Sequence, residues 1–248
     1  MSVAPSKDIG RKPPLAARRR SLVDLAHEEL HKRITDGELA VGQRLVIDQL
    51  AEEFGTSLIP VREALARLNA ERLVTFEANK GYRVAPAPDQ LELRQMFDAR
   101  LMLEIGSLES GIASLTPELI TELEEINRQI PKSVSGTTFE GYAEFVALNA
   151  RFHDAIVNLS GNKFIIDAHR RLGYHQRITQ ALHGRGVPDL GKIVNEHKLI
   201  IAALRRRSID DARLALRNHI LGAANRLYDE VPKAPPAGSK PGRKATSA

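Results

Sequence analysis

Four polar side chains in the second half of the chain have types and spacings that could hold a metal ion. Asn149 and His153 are four residues apart in a helical pattern, so they share one face of a helix. His197 and His219 lie in two later helical patterns, each beside the apolar residues that mark the inward face. One amide oxygen and three imidazoles could together bind Zn²⁺, or alternatively Ni²⁺ or Mn²⁺. The same spacing also fits histidines that are hydrogen-bonded within a core, and the residues alone leave this alternative open.

The residues from Ser57 onward have the pattern of a helix that could read DNA. Ser57 can cap this helix, and Pro60 falls in the first turn, where a missing N–H costs little. The buried stripe is formed by four apolar residues, Val61, Ala64, Leu65 and Leu68. This stripe leaves Leu58, Ile59 and Arg62 facing outward at the start of the helix. An arginine there can form two hydrogen bonds to guanine or contact a phosphate.

The elements around this helix predict a winged helix-turn-helix over residues 21–85. Helical patterns over residues 22–34 and 47–54 precede it in the chain. Strand formers at residues 73–77 and 82–85 flank a turn in which Asn and Gly can take positive φ, which predicts a small β-hairpin wing. In such a fold the third helix enters the major groove of DNA.

After the wing, the pattern changes to helices only. Residues 86–89 contain two prolines, which suits a stiff linker between two domains. Residues 90–231 contain no alternating run, and we predict a mainly α fold in which they form a six-helix antiparallel bundle. The predicted helices cover residues 90–114, 117–130, 139–159, 163–182, 190–207 and 209–230.

The positive charge of the chain is concentrated in its two ends. Residues 1–20 hold six Lys/Arg against one Asp, and residues 232–248 hold four Lys/Arg and no acid, although the formal net charge is only +5. We interpret these ends as a basic flexible arm and a disordered basic tail. Neither folded part is strongly basic, so the overall charge is weak support for nucleic-acid binding.

Composition excludes several classes of protein. The chain has no Cys, which removes disulfide scaffolds, Cys-ligated zinc fingers and thiol nucleophiles. No apolar run approaches the ~20 residues of a membrane helix, and we expect a cytoplasmic protein with no membrane partner. Aromatic residues make up 4% of the chain, with no Trp, which leaves little surface for stacking on single-stranded nucleic acid.

The motif LAxxFGxSxxPVREAL at residues 50–65, continued by KGYRV at residues 80–84, resembles the N-terminal domain of the GntR family of bacterial transcription regulators. The resemblance covers about residues 22–85 and implies sequence-specific binding to double-stranded DNA. Two positions depart from the family pattern: Leu58 stands where Arg is usual, and Arg72 where Gly is usual. The candidate DNA contacts are Ser57, Leu58, Ile59, Arg62, Arg67, Lys80, Gly81 and Arg83.

The departure at Leu58 leaves several outcomes open. Without the arginine, Leu58 and Ile59 either meet thymine methyl groups, or the DNA site differs from the family's common one, or binding is weaker. The basic arm of residues 1–20 could supply replacement phosphate contacts, which predicts a shallower salt dependence of DNA binding for a chain that begins near Ser21.

The helical half resembles the ligand-sensing C-terminal domain of the FadR branch of GntR regulators, over about residues 91–227. The matching motifs are NARFH at residues 149–153, SGN at residues 160–162, EHxxI at residues 196–200 and DxxxAxxxH at residues 211–219. Six predicted helices instead of seven are similar to the VanR-type subgroup. The resemblance implies that a divalent metal is bound by Asn149, His153, His197 and His219.

Arg100 matches an arginine that, by the same resemblance, reaches the carboxylate of a small effector. A guanidinium suits this role because its fork can take both oxygens. The alternative is a surface helix pair between Arg100 and Glu104. Asn149 in place of an acid leaves a 2+ ion without a protein anion, which favours an anionic effector. The remaining histidines considered, His27, His31, His169 and His183, are predicted to be ordinary surface residues.

Together these features lead us to expect a homodimeric regulator that binds a palindromic operator and acts as a repressor. We expect a small carboxylate bound at or near a metal in the helical domain to release or modulate it. One alternative is a metal-dependent hydrolase with an appended helix-turn-helix, but no general base is well placed for one. Another is a non-specific architectural protein that binds DNA through its basic ends. We expect no enzymatic activity.

Overall fold

The computed structural model describes residues 21–134, 139–173 and 189–228. Within these ranges the chain is mainly helical, and no helix in them is long and apolar enough to span a bilayer. The helices are α1 Leu22–Thr35, α2 Ile47–Glu53, α3 Leu58–Ala70, α4 Gln90–Gly111, α5 Pro117–Gln129, α6 Phe139–Asn158, α7 Lys163–Arg171, α8 Leu190–Arg205 and α9 Ile209–Tyr228. The strands are β1 Arg44–Leu45, β2 Val74–Glu77 and β3 Gly81–Val84.

Helices α1, α2 and α3 form the N-terminal unit around a small apolar core. Leu30 of α1 and both Leu65 and Leu68 of α3 are completely buried. Helix α1 begins with a capping box, in which the side chains of Ser21 and Asp24 each accept a hydrogen bond from the other's backbone N–H. The predicted helix-turn-helix is confirmed, and its apolar stripe fixes which face of α3 is left outward.

A three-stranded antiparallel sheet follows, with β3 between β1 and β2. The predicted wing is confirmed as β2 and β3, which are joined by a turn with Asn79 at φ 65° and Gly81 at φ 80°. The sequence does not predict β1, because two residues are too few to show an alternating pattern. This strand places Arg44 directly opposite Arg83.

Helices α4 to α9 form the second unit around one continuous apolar core. Helix α9 packs against α8 and α4, while α5 contacts α6 and α8. Phe97, Phe152 and Ile200 are almost completely buried between them. The end of α4 lies against the end of α6 at Gly111, where an added Cβ would be 2.2 Å from the Leu159 carbonyl oxygen. Only glycine permits this approach, which keeps the two helices in register.

The structure differs from the predicted elements at one helix. Helix α7 ends at Arg171, short of the predicted end at residue 182, because Gly173 takes the left-handed conformation (φ 59°) that terminates helices. Residues 174–182 lie outside the described residues. The same is true of the predicted basic arm at residues 1–20 and tail at residues 232–248.

The two units are joined by a short connection and also touch each other. Residues 85–89 link β3 to α4, which begins at Gln90 with the Asp89 side chain as its N-cap. An added Cβ at Gly173 would lie 3.2 Å from the carbonyl oxygen of Glu71, the C-cap residue of α3. The end of α7 therefore lies directly against the end of α3.

Candidate metal centre and DNA-binding surface

Three histidines from three helices meet inside the helical domain. His153 lies on α6, His197 on α8 and His219 on α9, and each is no more than 2% exposed. One ring nitrogen from each lies within 4.8 Å of the others. All three positions fall on the inward stripe of their helices, so the packing that buries the apolar core also brings the imidazoles together.

Two carboxylates fix the orientation of two of these rings. His153 Nδ1 is 2.8 Å from Glu104 Oε2, and His219 Nδ1 is 2.9 Å from Glu196 Oε2. Since a carboxylate accepts, each Nδ1 carries the proton and each Nε2 presents a lone pair. The two Nε2 atoms are 3.2 Å apart. Lone pairs that face each other at this distance repel, and a cation between them would turn this repulsion into attraction.

His197 completes the cluster in a different way. Its ring stacks on Phe152 with centroids 3.8 Å apart and an angle of 5° between the planes. Both of its ring nitrogens are buried, and neither has a hydrogen-bond partner among the described residues. A buried polar atom left unsatisfied costs about 1–3 kcal/mol. Among the described residues, none makes His197 a hydrogen-bonded core histidine, whereas a bound metal ion would satisfy one of its two nitrogens.

The imidazoles are held in the neutral form that metal ions bind. Burial lowers the pKa of His153 and His197 well below the usual value, and lowers the pKa of His219 as well. The positive guanidinium of Arg100 lowers all three further. No proton therefore has to be displaced from a ligand nitrogen at neutral pH, which favours metal binding.

Glu104 is the centre of a buried polar network next to the cluster. Arg100 Nε donates a hydrogen bond to it, and both side chains are fully buried. Burial alone would raise the pKa of Glu104, but Arg100 and His153 outweigh it and hold that pKa well below the usual value. The Arg100–Glu104 pair, which the sequence could place on a surface, is therefore buried in the interior. Arg100 also acts electrostatically on all three histidines.

His169 belongs to the same network, so the expectation of an ordinary surface histidine is wrong for it. The residue is 4% exposed, with Nε2 3.4 Å from Glu104 Oε1 and Nδ1 3.2 Å from Asp154 Oδ1. Burial lowers its pKa, but the two carboxylates outweigh burial and raise the pKa to about 8. The sequence predicts a surface position for His169 because the last turn of α7 also contains Arg170 and Arg171, a pattern typical of a solvated helix face.

A second supporting pair holds His219. Arg226 donates two hydrogen bonds of 2.9 Å to the two oxygens of Glu196, whose pKa falls to about 2 because His219 and Arg226 outweigh the effect of burial. Gly222 leaves room for the pair, since a Cβ there would lie 3.0 Å from Glu196 Oε1. The sequence predicts Glu104 only as a surface partner of Arg100, and it predicts no supporting role for Glu196 or Arg226. The signal for Glu104 was its place on the apolar stripe of α4, whereas Glu196 and Arg226 look like ordinary surface charges.

Asn149 lies one helical turn before His153 on α6 and is 8% exposed. This position is close to the cluster along the helix, as the spacing requires. Its role as a metal ligand stays a prediction, as does the role of Arg100 toward an effector.

The predicted DNA contacts on α3 are placed on an outward surface. Ser57 is the N-cap residue of α3, although its hydroxyl makes no capping hydrogen bond. Leu58 and Ile59 follow it and are 39% and 66% exposed. Arg62, one turn further, is exposed, and no described residue pairs with it. The start of α3 therefore presents two aliphatic side chains and one available cation.

The other predicted contacts are held by neighbours within the domain. Arg67 pairs with Asp24 at 2.8 Å, and Lys80 beside Gly81 in the wing pairs with Glu77 at 2.5 Å. Arg83 donates to the carbonyl oxygen of residue 42 at 2.9 Å. The Arg67 and Lys80 pairs are about half exposed, so phosphates can replace their partners at little cost. Arg44, which sequence reasoning missed, lies across from Arg83 and extends the basic surface of the wing.

A winged helix-turn-helix attached to a helical domain with a buried histidine cluster defines a regulatory protein that binds DNA and carries a separate ligand site. A model of bacterial regulatory proteins of the gntR family matches residues 22–84, and a model of the FCD domain matches residues 95–222. The chain therefore belongs to the GntR family, and it is a transcription regulator with an FCD domain. This confirms the resemblance to GntR regulators with a FadR-type ligand-sensing domain, whereas the VanR-type subgroup stays a prediction. The chain is a transcription regulator, so the alternative of a metal-dependent hydrolase is wrong.

Named relatives and a solved structure agree with this class. The chain is 28% identical over 197 residues to the HTH-type transcriptional repressor GlaR of Escherichia coli (strain K12), covering 77% of this chain and 89% of GlaR. It is 25% identical over 200 residues to the HTH-type transcriptional regulator McbR of the same strain, covering 79% and 88%. The solved structure of E. coli McbR/YncC is similar in fold, with a TM-score of 0.65 at 23% identity over 85% of this chain and 98% of that one.

Proposed function

We propose that this regulator is a homodimeric repressor that binds a palindromic operator and is released or modulated by a small carboxylate held at a metal in its helical domain. One observation carries the ligand-sensing part. The buried cluster of three neutral imidazoles includes one, His197, whose two nitrogens have no partner among the described residues. A relative named as a repressor supports the direction of control.

The donor set fits a divalent metal, with Zn²⁺ first and Ni²⁺ or Mn²⁺ as alternatives. His153, His197 and His219 would hold the ion, and Asn149 would add an oxygen ligand. Glu104 and Glu196 orient two of the imidazoles in the way that supporting carboxylates do in histidine metal sites. When bound, the ion supplies a Lewis-acidic centre to which oxygen ligands can coordinate.

The charges inside the domain favour an anionic effector. Arg100 and Glu104 balance each other, and so do Arg226 and Glu196. His169, protonated at neutral pH, is balanced by Asp154, and the three clustered histidines are neutral. A 2+ ion on this set would leave an uncompensated positive charge in the interior, which is costly without an anion. A carboxylate that contacts the metal and Arg100 would provide it.

The remaining parts of the chain would serve DNA binding. We assign residues 21–85 to the DNA-binding domain, residues 86–89 to the linker and residues 90–231 to the sensing and dimerisation domain. The basic arm at residues 1–20 adds phosphate contacts in this proposal, and the tail at residues 232–248 stays outside both domains. A protein that binds the chromosome in this way would act in the cytoplasm.

Fluorescence anisotropy of the full chain tests the proposal. The probes are the intergenic DNA beside its own gene and scrambled DNA of equal length, at physiological salt. The proposal predicts a preference of about a thousandfold or more, weakened by the right carboxylate. Equal affinities that collapse together with rising salt would instead identify a non-specific architectural protein.

A further inference from the structure

The start of α3 carries two exposed aliphatic side chains in fixed positions. Leu58 is 39% exposed and Ile59 is 66% exposed, although Val61, Ala64 and Leu65, further along the same helix, are completely buried. The exposure is therefore not a sign of loose packing. The core anchors α3, and the helix presents both side chains at its tip.

Base edges in the major groove offer one apolar group to such side chains. Guanine, adenine and cytosine present nitrogen and oxygen donors and acceptors there, whereas thymine presents a C5-methyl group beside its O4. An aliphatic side chain that covers a polar base edge removes it from water without a hydrogen bond in return. The thymine methyl group loses no hydrogen bond to water when an aliphatic side chain covers it, and it gains an apolar contact.

We propose that Leu58 and Ile59 determine operator specificity by contacting thymine C5-methyl groups. Each half-site then carries thymine next to the base or phosphate that Arg62 contacts, since Arg62 lies one turn along the same helix. This inference rests on the proposed function in one respect, namely that α3 enters the major groove of a specific operator.

The experiment begins with the full chain and a library of randomised double-stranded DNA, from which bound sequences are selected. In the selected duplex, each thymine of a half-site is replaced singly by deoxyuridine, which removes the methyl group and leaves every hydrogen-bonding group unchanged. The inference predicts about fourfold weaker binding at one or two positions, from the transfer free energy of one methyl group. Replacements outside the half-sites serve as the DNA control.

Protein variants then assign the effect to side chains. Leu58→Ala should bind the thymine duplex several-fold more weakly and lose its discrimination against deoxyuridine at one position. Leu58→Arg should shift the preferred base at that position from thymine to guanine, because arginine pairs with the guanine edge. Leu214→Ala is the matched control, since Leu214 is an exposed leucine (57%) on α9, in the helical domain.

Each outcome decides the question. Sensitivity to deoxyuridine that disappears in Leu58→Ala or in the matching Ile59→Ala variant supports the inference. A selected motif without thymine at these positions, or with thymine that tolerates deoxyuridine, overturns it while leaving the proposed function intact. A library from which no motif emerges overturns both.

Discussion

The two domains of this regulator use charged side chains in opposite ways. In the winged domain, the Arg67–Asp24 and Lys80–Glu77 pairs are about half exposed, and Arg62 has no pair among the described residues. In the helical domain, Arg100 and Glu104 are completely buried beside three neutral histidines. Exposed ion pairs contribute little to stability, so phosphates can replace one partner. Breaking a buried pair is costly, because it leaves an uncompensated charge in the interior. The exposed charges of the winged domain are suited to reversible contact with phosphates, whereas the buried charges of the helical domain are suited to holding a ligand in fixed geometry.

The largest expected difference between the domains is in the free energy of unfolding when one carboxylate in each is replaced by an amide. Glu104→Gln should lower the free energy of unfolding by about 3–5 kcal/mol, because it leaves the Arg100 charge buried beside a neutral amide. Glu77→Gln, which breaks the exposed pair with Lys80, should lower it by less than about 1 kcal/mol. Urea denaturation of both variants measures the two values, and equal losses would remove the contrast between the domains.

The stability of the metal-free protein should peak near pH 6.5. His153, His197 and His219 have folded-state pKa values below the unfolded value, so the unfolded chain takes up more protons and stability falls as pH drops below 6.5. The pKa of His169 is raised to about 8, so its contribution, about 2 kcal/mol, is present below pH 6.5 and lost as pH rises through 8. Urea midpoints in chelator across pH 5–9 test this.

The control for the alkaline side is His169→Gln, which should flatten the loss between pH 6.5 and 8 and leave the acid side unchanged. Stability that rises steadily from pH 6.5 to 8 in the wild type would contradict the assignment of His169 to the buried network.

Arg62 provides the corresponding test on the exposed surface. Arg62→Ala should weaken binding to the selected operator by about 1–3 kcal/mol if the contact is to a base, with little change in unfolding. Lys80→Ala should weaken all sequences about equally, because a wing lysine contacts phosphate. Anisotropy on cognate and scrambled DNA separates the two, and a uniform loss in Arg62→Ala would assign Arg62 to the backbone.

Arg226 should affect the metal without contacting it. Arg226→Ala removes both hydrogen bonds that hold Glu196 against His219, and we expect about tenfold weaker Zn²⁺ binding by calorimetric titration. Lys198→Ala, on the exposed side of α8, is the control and should bind Zn²⁺ normally. Unchanged affinity in Arg226→Ala would mean that Glu196 holds the ring without help.

The smallest effect is expected where the sequence departs from the family's glycine. Arg72 takes a left-handed conformation (φ 62°) directly after α3. Arg72→Gly should raise the free energy of unfolding by about 0.5–1 kcal/mol, since relief of strain exceeds the added entropy of the unfolded chain. Arg72→Ala keeps a Cβ and should bring no such gain. A urea midpoint that falls in Arg72→Gly would indicate that the arginine side chain matters more than its backbone.

The two domains also differ in how far the sequence predicts them. The apolar stripe of α3 predicts that Leu58 faces outward, and the positions of His153, His197 and His219 on apolar helix faces predict that these histidines converge. Both predictions follow from helical periodicity. The supporting residues do not follow in this way. Glu196 and Arg226 face each other only after α8 and α9 pack, and a charge buried by tertiary contacts has the same local pattern as a solvated one. Strand β1 could not be predicted for a similar reason: its two residues form a strand only because they pair with β3.

Metal analysis of the full chain tests whether His153, His197 and His219 hold a metal ion in the helical domain. The full chain is stripped with chelator, equilibrated with Zn²⁺ at neutral pH, freed of excess ion and analysed for metal, beside a His197→Ala variant treated in the same way. We expect one tightly held ion per wild-type chain and loss of that ion in His197→Ala, with both proteins folded by circular dichroism. A wild-type chain that retains no metal, or a variant that retains as much, would contradict it.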